Sequence, residues 1–258
     1  MKITNANYFK KDKYLSNSKI TDFLKDKYFF HRKHVIGDIV QETTIPMVLG
    51  SAVDTWLTKG EMSFRRDYNV VKARSEKNGD LRWQINETMY HQIVNMCENV
   101  QKTDAYKALG DFKTQQVIQY DMKIGLFSGI KGIPDWYKIE GDKCIIVDLK
   151  TSNTADPNKY HYHCLDYNYY RQAACYSHII QLNNPEIELQ FEYRHLVVEK
   201  DSDDINNVYT FILSNDRVEM EKQNLIDNIL PAIAAEKKFL KHNCNWNNPT
   251  VIGEVFTD

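Results

Sequence analysis

Apolar positions first recur at helical spacing in Ile20, Phe23, Leu24 and Tyr28, just after Leu15-Ser16-Asn17-Ser18. The spacing predicts a helix within residues 14–34, with Ser18 as its N-cap. Met47, Val48, Ala52, Val53, Trp56 and Leu57 predict a second helix from Pro46 to Lys59. Residues 63–80 are polar, with a short strand expected around Tyr68–Val71. A long helix follows from about Leu81 to Gln101 and a short one from Thr103 to Leu109. The period then shortens to that of strands, over Lys113–Asp121, Met122–Ser128, Gly129–Ile139 and Lys143–Leu149. Thr151 to Asp166 is polar, holds Pro157 and is expected to be a loop. Residues 167–182 form an amphipathic helix. In Ile187–Val198, Gln190, Glu192 and Arg194 alternate with Phe191, Tyr193 and His195, as in a strand. Val208–Leu213 is a further strand, and Asn215 to His242 a terminal helix with a kink expected at Pro231. No linker composition divides the chain. The pattern describes one α/β domain over residues 1–258, with a helical region to about residue 110 and a C-terminal helix.

Within the strand-rich part, two apolar runs flank Gly141-Asp142, a pair suited to a two-residue type II′ turn. A hairpin folded about that pair sets Glu140 against Lys143, Ile139 against Cys144, Tyr137 against Ile146 and Asp135 against Asp148. Lys150 lies two residues further on the same face as Asp148. Ile145, Val147 and Leu149 line one face of the second strand, while Cys144 and Ile146 share the other face with Asp148. Both faces are largely apolar, so the hairpin is expected to be covered on both sides. Like charges opposed on a sheet destabilise it, and burying them costs several kcal/mol unless they are paired or metal-bound. A divalent cation between Asp135 and Asp148 removes that cost. Mg²⁺ or Mn²⁺ on two such carboxylates suits phosphodiester hydrolysis, with Lys150 orienting water and neutralising charge on the phosphate. The main-chain carbonyl of Leu149 is a further expected ligand.

Composition changes this picture little. With 258 residues, 42% hydrophobic and 26% charged, and a net charge of −2, the chain is of ordinary globular type. No global basic field announces nucleic acid, although a local groove can still be basic. Lys10 to Lys33 and Lys237 to Lys241 are locally lysine-rich. No apolar run is long enough to span a bilayer and the N-terminus lacks the apolar core of a signal peptide, so a cytoplasmic protein with no membrane partner is expected. The five cysteines are scattered, without a CxxC pair, and suggest reduced thiols rather than a disulfide or zinc framework.

Pro134-Asp135, twelve intervening residues and then Asp148-Leu149-Lys150 resembles the PD-(D/E)xK nuclease superfamily. Asp148-Leu149-Lys150-Thr151-Ser152 is similar to the Asp-Leu-Lys-Thr-Ser/Thr string of its RecB- and RecE-like branch. Gln172 and Tyr176, one helical turn apart in Tyr169–Tyr176, resemble that branch's QxxxY motif. Gly50-Ser51-Ala52-Val53-Asp54 resembles its Gly-x-x-x-His segment, with Asp54 where a metal-binding His usually stands. The opening helix resembles the start of phage RecE-type and lambda-exonuclease-like proteins. Those often carry a Glu upstream of the Asp, where this chain reads Thr114-Gln115-Gln116-Val117.

The resemblance implies a restriction-endonuclease-like α/β core, a central mixed β-sheet flanked by helices. It implies a Mg²⁺- or Mn²⁺-dependent exonuclease on linear double-stranded DNA, 5′-to-3′, of the phage recombination type in a bacterial or phage-infected cell. Single-stranded DNA is a further candidate substrate. It implies Asp135, Asp148, Lys150 and Gln172 as catalytic groups, and Asp135, Asp148, Leu149 and Asp54 around the metal. Tyr176, Arg32, Lys25 and Ser18 are the candidate DNA contacts. A ring-like homo-oligomer working with a single-strand annealing protein is implied as well. Some members carry an iron–sulfur cluster on one N-terminal and three C-terminal cysteines. Only Cys244 lies near this C-terminus, so none is expected.

Plainer roles stand beside these. Asp54 on an amphipathic helix could be solvated, and a lysine-rich helix can be a solvated face. His161 and His163 are more naturally loop histidines than zinc ligands. Tyr160, Tyr162, Tyr167, Tyr169 and Tyr170 could pack or stack on unpaired bases. An endonuclease of the same fold, or a DNA-binding module without chemistry, remain the alternative functions.

Overall fold

A computed structural model describes residues 8, 13–39, 42–71, 83–200 and 207–236. The expected roles of Lys237–Lys241 and Cys244, and the last residues of the terminal helix, lie outside them. The chain opens with β1 (Tyr14–Leu15), α1 (Asn17–Lys25) and α2 (Lys27–Phe30), which runs on as π-helical turns over His31–Ile36. Then come α3 (Ile45–Lys59), α4 (Glu61–Asp67), β2 (Tyr68–Val71), β3 (Trp83–Asn86), α5 (Glu87–Lys102) and α6 (Asp104–Lys107). The strand-rich part contains β4 (Lys113–Thr114), β5 (Ile118–Ile124), β6 (Phe127–Gly132), β7 (Trp136–Glu140) and β8 (Lys143–Ser152). Helices α7 (Pro157–Asp166) and α8 (Tyr169–Leu182) lead to β9 (Gln190–Glu199) and β10 (Val208–Ile212). Helix α9 (Asn215–Asn224) continues through a π-helical turn, Leu225–Ile229, into α10 (Leu230–Ala235).

The main sheet has the order β10-β9-β8-β7-β4 and is mixed: β8 runs antiparallel to β7 and parallel to β9. A three-stranded sheet, β1-β6-β5, and a β2-β3 pair complete the strands among the described residues. The Gly141-Asp142 hairpin has the expected register, Glu140 to Lys143 through Tyr137 to Ile146. Gly141 adopts φ 61°, the left-handed backbone that primed turns require. Both faces of the hairpin are covered. Val147 and Leu149 pack with Trp136, Leu196 and residues of α3 and α5 such as Val53, Trp56, Ile93 and Met96. Cys144 and Ile146 pack with Tyr137, Tyr193, Val197 and residues of α8 such as Ala173, Ala174 and Ile179. Each fully buried aliphatic side chain here contributes about 1.5–3 kcal/mol.

Several elements differ from expectation, each for a local reason. The single strand expected over Gly129–Ile139 is two strands in different sheets. Pro134 has no N–H to give a ladder and holds Ile133 extended, so the chain changes sheets there. The ladder between β7 and β8 therefore stops at Trp136 and Val147. Asp135 keeps the register that faces Asp148 but stands in a bend outside the ladder. The turn between the two preceding strands falls after Ile124 rather than at Met122, with Ile124 pairing Phe127. The expected loop Thr151–Asp166 is the end of β8 and a helix. Asp156 caps that helix by accepting from the Asn158 N–H at 2.8 Å, and Pro157 occupies its first turn. In α1 the N-cap is Ser16, whose Oγ accepts from the Lys19 N–H at 3.4 Å, and Ser18 lies within the first turn. The expected kink at Pro231 takes the form of the π-helical turn just before it, a widening that accommodates the missing proline N–H.

Candidate metal centre and nucleic-acid cleft

Strand β8 lies inside the sheet and carries Asp148 and Lys150 to its C-terminal end on one face. Asp148 is buried, and Lys150 Nζ forms an ion pair with its Oδ2. Lys150 also donates to Gln172 Oε1 at 2.8 Å and sits 4.1 Å from the centroid of the Tyr169 ring. Burial alone would depress the lysine, yet the charge of Asp148 first, and then of Tyr169, holds it above its ordinary value. The ammonium is thus fixed by a carboxylate, an amide oxygen and an aromatic face.

Asp135 reaches across the end of the ladder, and its Oδ2 accepts from the Leu149 N–H at 2.7 Å. Asp54 arrives from α3. Gly50, one helical turn before it, lets this helix approach β8: a Cβ at Gly50 would lie 3.3 Å from Thr151 Oγ1. Gln115, directly after β4, spans the two carboxylates. Its Nε2 donates to Asp54 Oδ1 at 3.0 Å and to Asp135 Oδ1 at 2.8 Å. Burial raises Asp54 to about 6, and the charge of Asp148 adds to the shift. Burial, then the charges of Asp148 and Asp54, push Asp135 well above the usual carboxylate range. Three aspartates therefore share one field with too little positive charge to balance them.

Helix α8 supplies the opposite wall. Gln172 Nε2 donates to Tyr176 Oη at 2.9 Å and approaches Asp148 Oδ1 at 3.5 Å, and Tyr176 Oη donates to the Ile133 carbonyl at 3.0 Å. Gly132 makes room for that tyrosine, because a Cβ there would meet the Tyr176 ring at 2.7 Å. Buried Arg171 ties this wall to α1 through Asn17 Oδ1 at 3.2 Å and Thr21 Oγ1 at 2.6 Å. Between the walls opens a cleft of about 530 Å³, lined by Asp54, Gln115, Asp135, Gln172 and Tyr176. Ser16, Ser18, Thr21, Lys33 and Tyr167 line it as well.

The expected residues Asp54, Asp135, Asp148, Leu149, Lys150, Gln172 and Tyr176 thus come together, and Ser18 borders the same cleft. Lys25 is exposed on α1 and does not line the cleft. Arg32 is engaged elsewhere, by Asp38 at 2.7 Å and Tyr28 at 2.8 Å. Lys33 takes the cleft-side position and pairs with Asp22 at 2.7 Å. His163 contacts Ser152 Oγ at 3.0 Å. Gln115 and Tyr169 are not among the residues expected from sequence to form the centre. At Gln115 the only signal is its place in Thr114-Gln115-Gln116-Val117, the stretch upstream of Asp135 that lacks a carboxylate.

A divalent cation fits the chemistry of this donor set: carboxylate, carbonyl and amide oxygens are the ligands hard cations prefer. As they stand, no three His, Cys, Asp or Glu side chains among the described residues converge on one point close enough to hold an ion. Nitrogen donors from Gln115, Leu149 and Lys150 occupy the carboxylate oxygens instead. Among the described residues no helix is long and apolar enough to cross a membrane.

No curated protein matches the chain. The crystal structure of a protein described as a "Putative exonuclease" from Eubacterium rectale superposes with a TM-score of 0.65 at 16% identity, over 92% of this chain and 89% of that one. A second solved structure, SSO0001, covers 81% of each chain at 13% identity with a TM-score of 0.28, too low to carry weight. The model of the PDDEXK-like domain of unknown function matches residues 16–241. With that match over most of its length, and with an α/β sheet bringing Asp135 close to the Asp148–Lys150 ion pair, the chain belongs to the PDDEXK-like family of the PD-(D/E)xK nuclease superfamily.

Proposed function

We propose that the protein is a Mg²⁺- or Mn²⁺-dependent deoxyribonuclease that degrades linear double-stranded DNA from its ends, in the 5′-to-3′ direction. The observation that carries this reading is the meeting of Asp54, Asp135 and Asp148 beside Lys150, with Asp54 and Asp135 lining a single cleft. Asp135, Asp148, Asp54 and the Leu149 carbonyl would hold the cation, which would supply Lewis acidity toward water and phosphate. Lys150 places a fixed positive charge where the phosphate gains negative charge. Gln172, held by Lys150 and Tyr176, presents its amide to the same point and orients the attacking water. The fold neighbour described as an exonuclease supports the choice of chain ends as substrate. The hydroxyls of Ser16, Ser18 and Thr21, at the start of α1, line the cleft and support binding of a strand terminus there.

Linear and covalently closed circular duplexes, incubated with Mg²⁺ or Mn²⁺, test the proposal. Linear DNA is expected to be consumed from its 5′ ends and closed circles to survive. Asp148→Ala should lose at least about two orders of magnitude in rate, since the metal site supplies several kcal/mol. Nicking of the circles would replace the exonuclease with an endonuclease, and undiminished cleavage by the variant would overturn the site.

A further inference from the structure

We propose that Gln115 is itself a ligand for the divalent cation, its amide turning over so that Oε1 faces the place Nε2 now holds between Asp54 and Asp135. This rests on the metal-centre reading above and adds to it a neutral fourth side chain.

The amide nitrogen of Gln115 lies 3.0 Å from Asp54 Oδ1 and 2.8 Å from Asp135 Oδ1. It bridges two carboxylates on separate elements, one from α3 and one from the bend after Pro134. A bridging position between carboxylates is where a cation would be drawn. The backbone fixes the residue there with unusual firmness. The Gln115 N–H donates to the Asp135 carbonyl at 2.9 Å, directly beyond the β4–β7 pairs Lys113 to Tyr137 and Thr114 to Trp136. Gln115 also holds φ 48°, one of two non-glycine residues with positive φ among those described. Such a conformation costs on the order of 1 kcal/mol and persists only where its surroundings enforce it.

Without a cation, the two carboxylates need a hydrogen-bond donor, and the amide offers its NH₂. With a cation between them, that donor would be repelled and an oxygen ligand favoured. The two ends of a glutamine amide are nearly equal in size, and rotation about the last side-chain bond exchanges them. Amide oxygens are accepted ligands of hard divalent cations. The same side chain thus serves both states, filling the cation's place in one and coordinating it in the other.

The test is calorimetric titration of Mn²⁺ into the full-length chain after chelator treatment, without DNA. Gln115→Ala should weaken binding by about ten- to a hundredfold, and Gln115→Glu should restore it or exceed the parent. Gln115→Asn suits the left-handed backbone, so it guards against misfolding while withdrawing the amide by one methylene. It should weaken binding as alanine does. Parent-like or tighter binding by the alanine and asparagine variants overturns the proposal. Asp135→Ala separates the two readings. If it abolishes Mn²⁺ binding while Gln115→Ala does not, only the role of Gln115 falls. If it leaves binding unchanged, or the parent binds no Mn²⁺, the metal centre falls and Gln115 with it.

Discussion

Burial makes the ionised side chain of Asp54 a cost to the fold. Burial, reinforced by the charge of Asp148, keeps its proton on to about pH 6, whereas an unburied aspartate releases it near 3.8. Between those values the folded chain holds more protons than the unfolded one, so stability falls as pH rises through this window. Above it the full penalty stands, on the order of 3 kcal/mol. Asp54→Asn should therefore make the metal-free protein more stable at pH 7, with the gain vanishing near pH 4. Urea unfolding in chelator at the two pH values measures this, and an unchanged midpoint at pH 7 would refute it. Residues of this kind were legible only in part. Asp135, Asp148 and Lys150 follow from a two-residue turn that fixes register for its whole hairpin. Gln172 and Tyr176 follow from helical spacing within a recognisable string. Gln115 and Tyr169 have no such pattern. Gln115 meets Asp54, 61 residues away, a closeness created only by folding.

Elements explain why the same residues face one another. The approach of α8 to the end of β6 depends on a missing Cβ at Gly132, against which the Tyr176 ring lies. Gly132→Ala should cost about 1–3 kcal/mol by overpacking. Combined with Tyr176→Leu, it should cost less than the two changes summed, because the smaller side chain vacates the clash. Additive urea midpoints would show that the helix does not bear on this glycine. Strand and helix types were largely readable from periodicity, but punctuation was less so. Pro134 ends one sheet and begins another, which an uninterrupted apolar run conceals. Pro157 looks like a loop residue until Asp156 is seen capping the helix that starts there. Proline marks a boundary in both places, and only the neighbouring backbone bonds decide which kind.

At the scale of the molecule, a mixed sheet is covered on one face by α3 and α5 and on the other by α8 and the small β1-β6-β5 sheet. The α/β class was legible because helical and strand periods separate cleanly along the chain. The division into separate sheets was not, because sheet membership depends on hydrogen-bond partners that periodicity does not name. The pairing of β8 with β9 is parallel, and ten residue pairs long from Lys143–Gln190 to Ser152–Glu199. Parallel neighbours need a long crossover, and here that crossover is α7 and α8, the segment that brings Gln172 and Tyr176 to Lys150. Closing such a ladder is slow compared with forming local helices, since chain entropy is lost before contacts are gained. On refolding from urea, helical signal should return first, and Mn²⁺ binding only with the final cooperative phase. Simultaneous recovery in the earliest phase would contradict this. A nascent or partly unfolded chain would then carry Asp54, Asp135 and Asp148 without yet bringing them together, so completion of the fold itself acts as the licence for nuclease activity.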